Sequence, residues 1–142
     1  MNREKVRGSA SIYPIQKGVR KISTILVIED ELNVQRFLKA NLSISGYRVL
    51  IAGDGEEGLK LVQSEHQDLI FLDLRLPGIS GWDVLTRLKS EQESAGIPVI
   101  VMTASIYGNG EEQALAMGAV EYMAKPFTVD TLLNIVRKYL GE

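Results

Sequence analysis

Glu29 and Asp30 follow the apolar run Thr24–Ile28, Asp73 follows Leu69–Leu72, Thr103 follows Val99–Met102, and Lys125 follows Val120–Ala124. Each is a polar break at the end of an apolar stretch of strand length. If these stretches lie side by side and run the same way, three carboxylates, a hydroxyl and an ammonium group meet on one edge of a sheet. Carboxylates crowded together repel one another, so such a site must bind protons, a fixed cation or a metal. Few, acidic, all-oxygen ligands select Mg²⁺ or a similar hard cation, with water completing its shell. A carboxylate beside a hard cation, a lysine and a hydroxyl donor suits phosphoryl transfer onto that carboxylate as nucleophile.

The elements that must position these groups can be read from periodicity. Thr24–Ile28, Arg48–Ala52, Leu69–Leu72, Val99–Met102 and Val120–Ala124 read as strands, the last the weakest. Between them lie helical spacings. Val34, Phe37, Leu38 and Leu42 define a first helix that Gly46 would end. Gly55–His66 turns Leu59 and Val62 inward, and Trp82–Lys89 turns Leu85 and Leu88 inward. Glu111–Met117 is a short fourth helix. Thr128–Leu140 is a fifth, with Val129, Leu132, Leu133 and Val136 on one face and Thr128 as N-cap. Five alternating strand–helix units require an α/β fold, a parallel sheet with helices on both faces. Right-handed crossovers favour the doubly wound order 2-1-3-4-5, whose functional groups gather at the carboxyl ends of the first and third strands.

The stretches ILVIEDE, DLIFLDLRLPGISGWDVL, PVIVMTAS and EYMAKPF resemble those of response-regulator receiver domains of two-component signalling. The resemblance implies the flavodoxin-like receiver fold over residues 23–142, akin to that of chemotaxis regulators. It implies Asp73 as phosphoacceptor, with Mg²⁺ held by Asp30, Asp73 and the backbone carbonyl of Arg75, and by Glu29 through water. Lys125 would pair with the phosphoryl group and Asp73. Thr103 would be the switch hydroxyl, with small Ala104 leaving room beside it, and Tyr122 the aromatic that turns on activation. Pro126 completes the family's Lys-Pro pair, often a cis peptide. The donor would be a sensor histidine kinase or phosphotransfer protein docking against the first helix. A downstream effector would read the face formed by the fourth helix, fifth strand and fifth helix, and the same face would suit a homodimer. Such a domain catalyses only its own phosphorylation and dephosphorylation. The alternative is a receiver-like interaction module that works without phosphorylation.

Other features bound the function. There is no cysteine, which excludes thiolate chemistry and disulfides. No apolar run is long enough for a membrane span and no signal peptide is visible, so a cytoplasmic location is expected, without direct nucleic-acid or membrane binding. In residues 1–23, six basic side chains face only Glu4, a net of +5, leaving −7 for the rest of a chain whose total is −2. Residues 1–22 read as a basic, flexible leader or linker. The turn EDELN after the first strand lacks a glycine-rich phosphate cradle, against a nucleotide-binding domain. Arg75 stands where an aspartate-nucleophile phosphatase would carry a second aspartate. Arg75 could reach over the phosphoryl group or pair with Glu29, and the sequence leaves both open. Arg75 and Ser105 flank the water route and would tune phosphoryl lifetime. Ile106–Gly110 is expected to be mobile without phosphate. His66 reads as a surface residue, Trp82 as packing, Asp54 as an N-cap and Asp68 as a polar stop before the third strand.

Overall fold

The alternation is realised in full in a computed structural model, which describes residues 21–104 and 108–141. Five strands, β1 (Thr24–Ile28), β2 (Arg48–Ala52), β3 (Leu69–Asp73), β4 (Val99–Thr103) and β5 (Glu121–Ala124), form one parallel sheet in the order β2-β1-β3-β4-β5. The helices are α1 (Leu32–Ile44), α2 (Gly55–Ser64), α3 (Gly81–Ser90), α4 (Gly110–Ala116) and α5 (Val129–Leu140). Most of the expected leader, Ser105 and the start of the 106–110 segment lie outside the described residues.

The central strands β1, β3 and β4 are buried along their whole length, which is why they read as unbroken apolar runs. Successive side chains alternate between two cores. Leu26, Ile28, Ile70 and Leu72 pack with Val84, Leu85, Leu88 and Ala114 on the α2–α3–α4 side. Ile25, Val27, Leu69 and Phe71 pack with Leu38, Leu42, Leu132 and Val136 on the α1–α5 side. Leu59, Val62 and Trp82 join the first core from its margin. Helix α2 lies so close to β1 that a Cβ on Gly58 would stand 2.5 Å from Ile28 Cδ1.

Local chemistry sets the helix ends. Asp54, Ser80 and Thr128 each accept a backbone N–H three residues on, capping α2, α3 and α5. Helix α2 stops at Ser64, two residues short of the expected His66, because the buried Gln67 amide donates to the carbonyls of Leu61 (2.7 Å) and Glu65 (2.8 Å). Val129 lies at the shallow end of the inward face of α5. It stands in the first turn, 36% exposed. Asp68 does more than stop a strand. Its N–H donates to Thr24 O (2.7 Å) and its Oδ2 accepts from Thr24 N (2.8 Å), clasping the starts of β1 and β3. Among the described residues no helix is long and apolar enough to cross a membrane.

Candidate functional site

The strand register brings the polar breaks together. Ile28 pairs with Leu72, Asp73 with Met102, and Thr103 with Ala124. The ladder runs one residue further through Glu29 N to Ala52 O (3.0 Å), Leu74 N to Met102 O (3.1 Å) and Lys125 N to Thr103 O (2.9 Å). The backbone of Glu29, Asp73, Thr103 and Lys125 is therefore tied into the sheet. Gln35, from the first turn of α1, adds a bond from its amide to Glu29 O at 2.6 Å. On the other side, Gly81 brings α3 against the end of β3. Its N–H donates to Leu74 O, and a Cβ there would lie 2.3 Å from the Asp73 carbonyl oxygen.

Carboxylate oxygens of Glu29, Asp30 and Asp73 lie within 4.8 Å of one another. Glu29 and Asp73 are buried and Asp30 is exposed. Asp73 Oδ1 accepts the N–H of Arg75 (2.9 Å), and Asp73 Oδ2 accepts from Lys125 Nζ (3.0 Å). Lys125 Nζ also stands 2.7 Å from Glu29 Oε1 and 3.3 Å from Glu31 Oε1. Glu29 Oε2 accepts the N–H of Glu31 (2.9 Å), but no donor among the described residues reaches Glu29 Oε1 in hydrogen-bond geometry. Three clustered carboxylates, one with a buried oxygen served only by its ion pair with Lys125, fit a hard cation.

The electrostatics agree with that reading. Burial pushes the Glu29 carboxyl up to about 7, against the pull of Lys125 and the Glu31 N–H, and the charge of Asp73 adds to the rise. Burial would lower the Lys125 ammonium, but Glu29 and Asp73 outweigh it and hold it well above the ordinary lysine value. Lys125 is therefore a fixed cation within the cluster. The Lys125–Pro126 peptide bond is cis.

Thr103 is buried at the end of β4, and Ala104 beside it is exposed. Tyr122 is half-buried on β5, packed at the edge of the α2–α3–α4 core, with its hydroxyl beside Gly110 at the start of α4. Arg75 is exposed and makes no ion pair with Glu29, whose cationic neighbour is Lys125. His66 is exposed, as expected, and its ring contacts Asp68 at 2.9 Å, at the amino end of β3 and not at the carboxyl end that carries Asp73. Glu31 and Gln35 escaped the sequence reading. Glu31 directly follows the acidic pair, which was a usable signal, whereas Gln35 carried none. Beside Lys125 a hollow of about 520 Å³ opens between α1 and the loop into α5, walled by Val34, Phe37, Pro126 and Phe127. The rings of Phe37 and Phe127 meet edge-on at 5.8 Å.

The profile of the response regulator receiver domain matches residues 25–137. The chain is 39% identical over 116 residues to the probable transcriptional regulator ycf27 of Porphyridium aerugineum, covering 82% of this chain and 47% of that protein. It is 36% identical over 119 residues to the response regulator ArlR of Staphylococcus aureus strain Mu50, covering 84% of this chain and 53% of that one. The chain thus spans about half the length of these relatives. Among solved structures, it superposes with a TM-score of 0.78 and 29% identity on the receiver domain of a sensor histidine kinase from Pseudomonas aeruginosa PAO1, covering 86% of this chain and 100% of that one. That domain has a magnesium ion coordinated in its active-site cleft.

Proposed function

From the chain's membership of the response regulator receiver domain family, we propose that Asp73 is its phosphoacceptor and that Glu29, Asp30, Asp73 and the Arg75 backbone carbonyl hold Mg²⁺. The observation that carries this reading is the buried Asp73 carboxylate, in one cluster with Glu29 and Asp30 and 3.0 Å from Lys125 Nζ. When bound, Mg²⁺ would offset negative charge on the oxygens of the transferring group.

The protein's own residues do the rest. A sensor histidine kinase or phosphotransfer protein presents its phosphohistidine against α1, over the hollow lined by Phe37 and Phe127. An Asp73 carboxylate oxygen attacks phosphorus, and the P–N bond breaks with its electron pair going to a ring whose other nitrogen already carries a proton, so a neutral imidazole leaves. Lys125 loses its hold on Asp73 Oδ2 and takes up a phosphoryl oxygen instead. The Thr103 hydroxyl donates to another. Tyr122 turns toward the space beside Thr103 and alters the α4–β5–α5 face, which an effector or a second copy reads. Water later attacks phosphorus, the P–O bond to Asp73 breaks, and the free carboxylate returns.

Incubation with acetyl phosphate, followed by intact mass, tests this. An adduct of one phosphoryl group that needs Mg²⁺ and is lost in Asp73→Asn is the expected result. A folded protein that gains no adduct under any of these conditions overturns it and leaves phosphorylation-independent binding as the function.

A further inference from the structure

Three carboxylates share the Lys125 ammonium: Glu29 at 2.7 Å, Asp73 at 3.0 Å and Glu31 at 3.3 Å. Nζ donates to Asp73 Oδ2 and Glu31 Oε1, and pairs with Glu29 Oε1 by charge without a directed hydrogen bond. They are not equivalent. Glu29 and Asp73 belong to the cluster suited to a divalent cation, and Glu31 does not. A cation in that cluster competes with Lys125 for the oxygens of Glu29 and Asp73 but leaves the Glu31 contact alone.

The placement of Glu31 is a choice the fold has made. It is the N-cap residue of α1, with φ −81° and ψ 122°, yet its side chain makes no cap bond. Asp54, Ser80 and Thr128, at the same position in α2, α3 and α5, do, whereas Asn109 of α4 does not. The Glu31 N–H is instead held by Glu29 Oε2 (2.9 Å), and its carboxylate turns away from the open end of α1 toward Lys125. The side chain thus contacts the lysine and not the free N–H groups of its own helix.

We propose that Glu31 is a positioning residue that holds Lys125 back, so that the phosphoryl group must win the lysine from it. This rests on the receiver reading above and adds a brake to it. In Glu31→Gln the lysine is no longer held, and the site binds a phosphoryl mimic more tightly. The Glu31 carboxylate is 64% exposed, so the effect is that of a screened surface pair, about 1.5- to 5-fold.

Calorimetric titration with beryllofluoride in saturating Mg²⁺, and with Mg²⁺ alone, would measure it in the wild type, Glu31→Gln and Glu31→Asp. The expected result is beryllofluoride affinity raised by that factor in both variants, with Mg²⁺ affinity no tighter and thermal unfolding not lowered. Aspartate keeps the charge but is too short to hold Lys125 and is a natural helix cap. Glu31→Asp behaving like the wild type would mean that charge alone acts, and overturns the proposal. Unchanged affinity in Glu31→Gln overturns it as well. Mg²⁺ affinity more than about tenfold weaker in Glu31→Gln would make Glu31 part of the metal site and also overturn it. A wild type that binds neither Mg²⁺ nor beryllofluoride would instead refute the receiver reading beneath it.

Discussion

Among the described residues Lys125 is the cation that pairs with the acidic cluster of Glu29, Asp30, Glu31 and Asp73, and its side chain is only 12% exposed. Removing one member of such a group leaves buried charge without compensation, a loss of about 3–5 kcal/mol for a fully buried pair. Lys125→Met should therefore unfold more readily in denaturant when metal is absent, by about 3 kcal/mol. Added Mg²⁺ should narrow that gap, because a second source of positive charge then serves the same oxygens. An equal gap with and without Mg²⁺ would separate the lysine from the cation site. Asp68 offers a different test at this scale. Burial opposes its ionisation, but the Thr24 N–H and His66 outweigh that and hold its carboxyl below the ordinary 3.8. A depressed folded pKa contributes stability that is whole above the unfolded value and fades as pH falls through the folded one. Asp68→Asn should cost about 1 kcal/mol near neutrality, measured by denaturant unfolding, and the difference should shrink below about pH 4.

Elements hold these residues in place largely through the main chain, with side-chain bonds such as that of Gln35 added to it. The extended ladder fixes Glu29, Leu74 and Lys125, and α3 presses on the end of β3 through Gly81, where an added Cβ would meet the Asp73 carbonyl at 2.3 Å. The obstruction is main chain and cannot swing aside. Gly81→Ala should lower stability by about 1–3 kcal/mol and weaken Mg²⁺ binding, because the strand end that carries Asp73 must shift. Loss of stability with metal affinity intact would show that α3 supports the sheet without positioning the site. The strands and most helices were legible in the sequence because buried central strands leave continuous apolar runs and helices leave spaced ones. The end of α2 was not, since it depends on the Gln67 side chain folding back on Leu61 and Glu65, a contact without a periodic signature. The exposure of Val129 was missed for a similar reason. Spacing gives a helix face, but how deep its first turn sits depends on the loop that delivers it.

At the scale of the molecule, one sheet with two cores puts Glu29, Asp30, Asp73, Thr103 and Lys125 at one edge. The order β2-β1-β3-β4-β5 makes β1 and β3 neighbours although a whole strand–helix unit separates them in the chain. That adjacency gathers Glu29, Asp30 and Asp73, and it was inferable because right-handed crossovers leave few arrangements for five such units. What the sequence did not reveal was how the charges are shared. Only three dimensions place Lys125 between Glu29, Asp73 and Glu31. The family match and this geometry make the chain a receiver domain, and the matched segment covers about half of its relatives' length. The central claim is that one carboxylate, Asp73, takes the phosphoryl group. Borohydride reduction after acetyl phosphate treatment in Mg²⁺ converts an aspartyl phosphate to homoserine, and peptide mass mapping then locates it. Homoserine at position 73 alone, absent without Mg²⁺, is the predicted result. Homoserine at Asp30, or at no aspartate in a folded protein, would contradict the account.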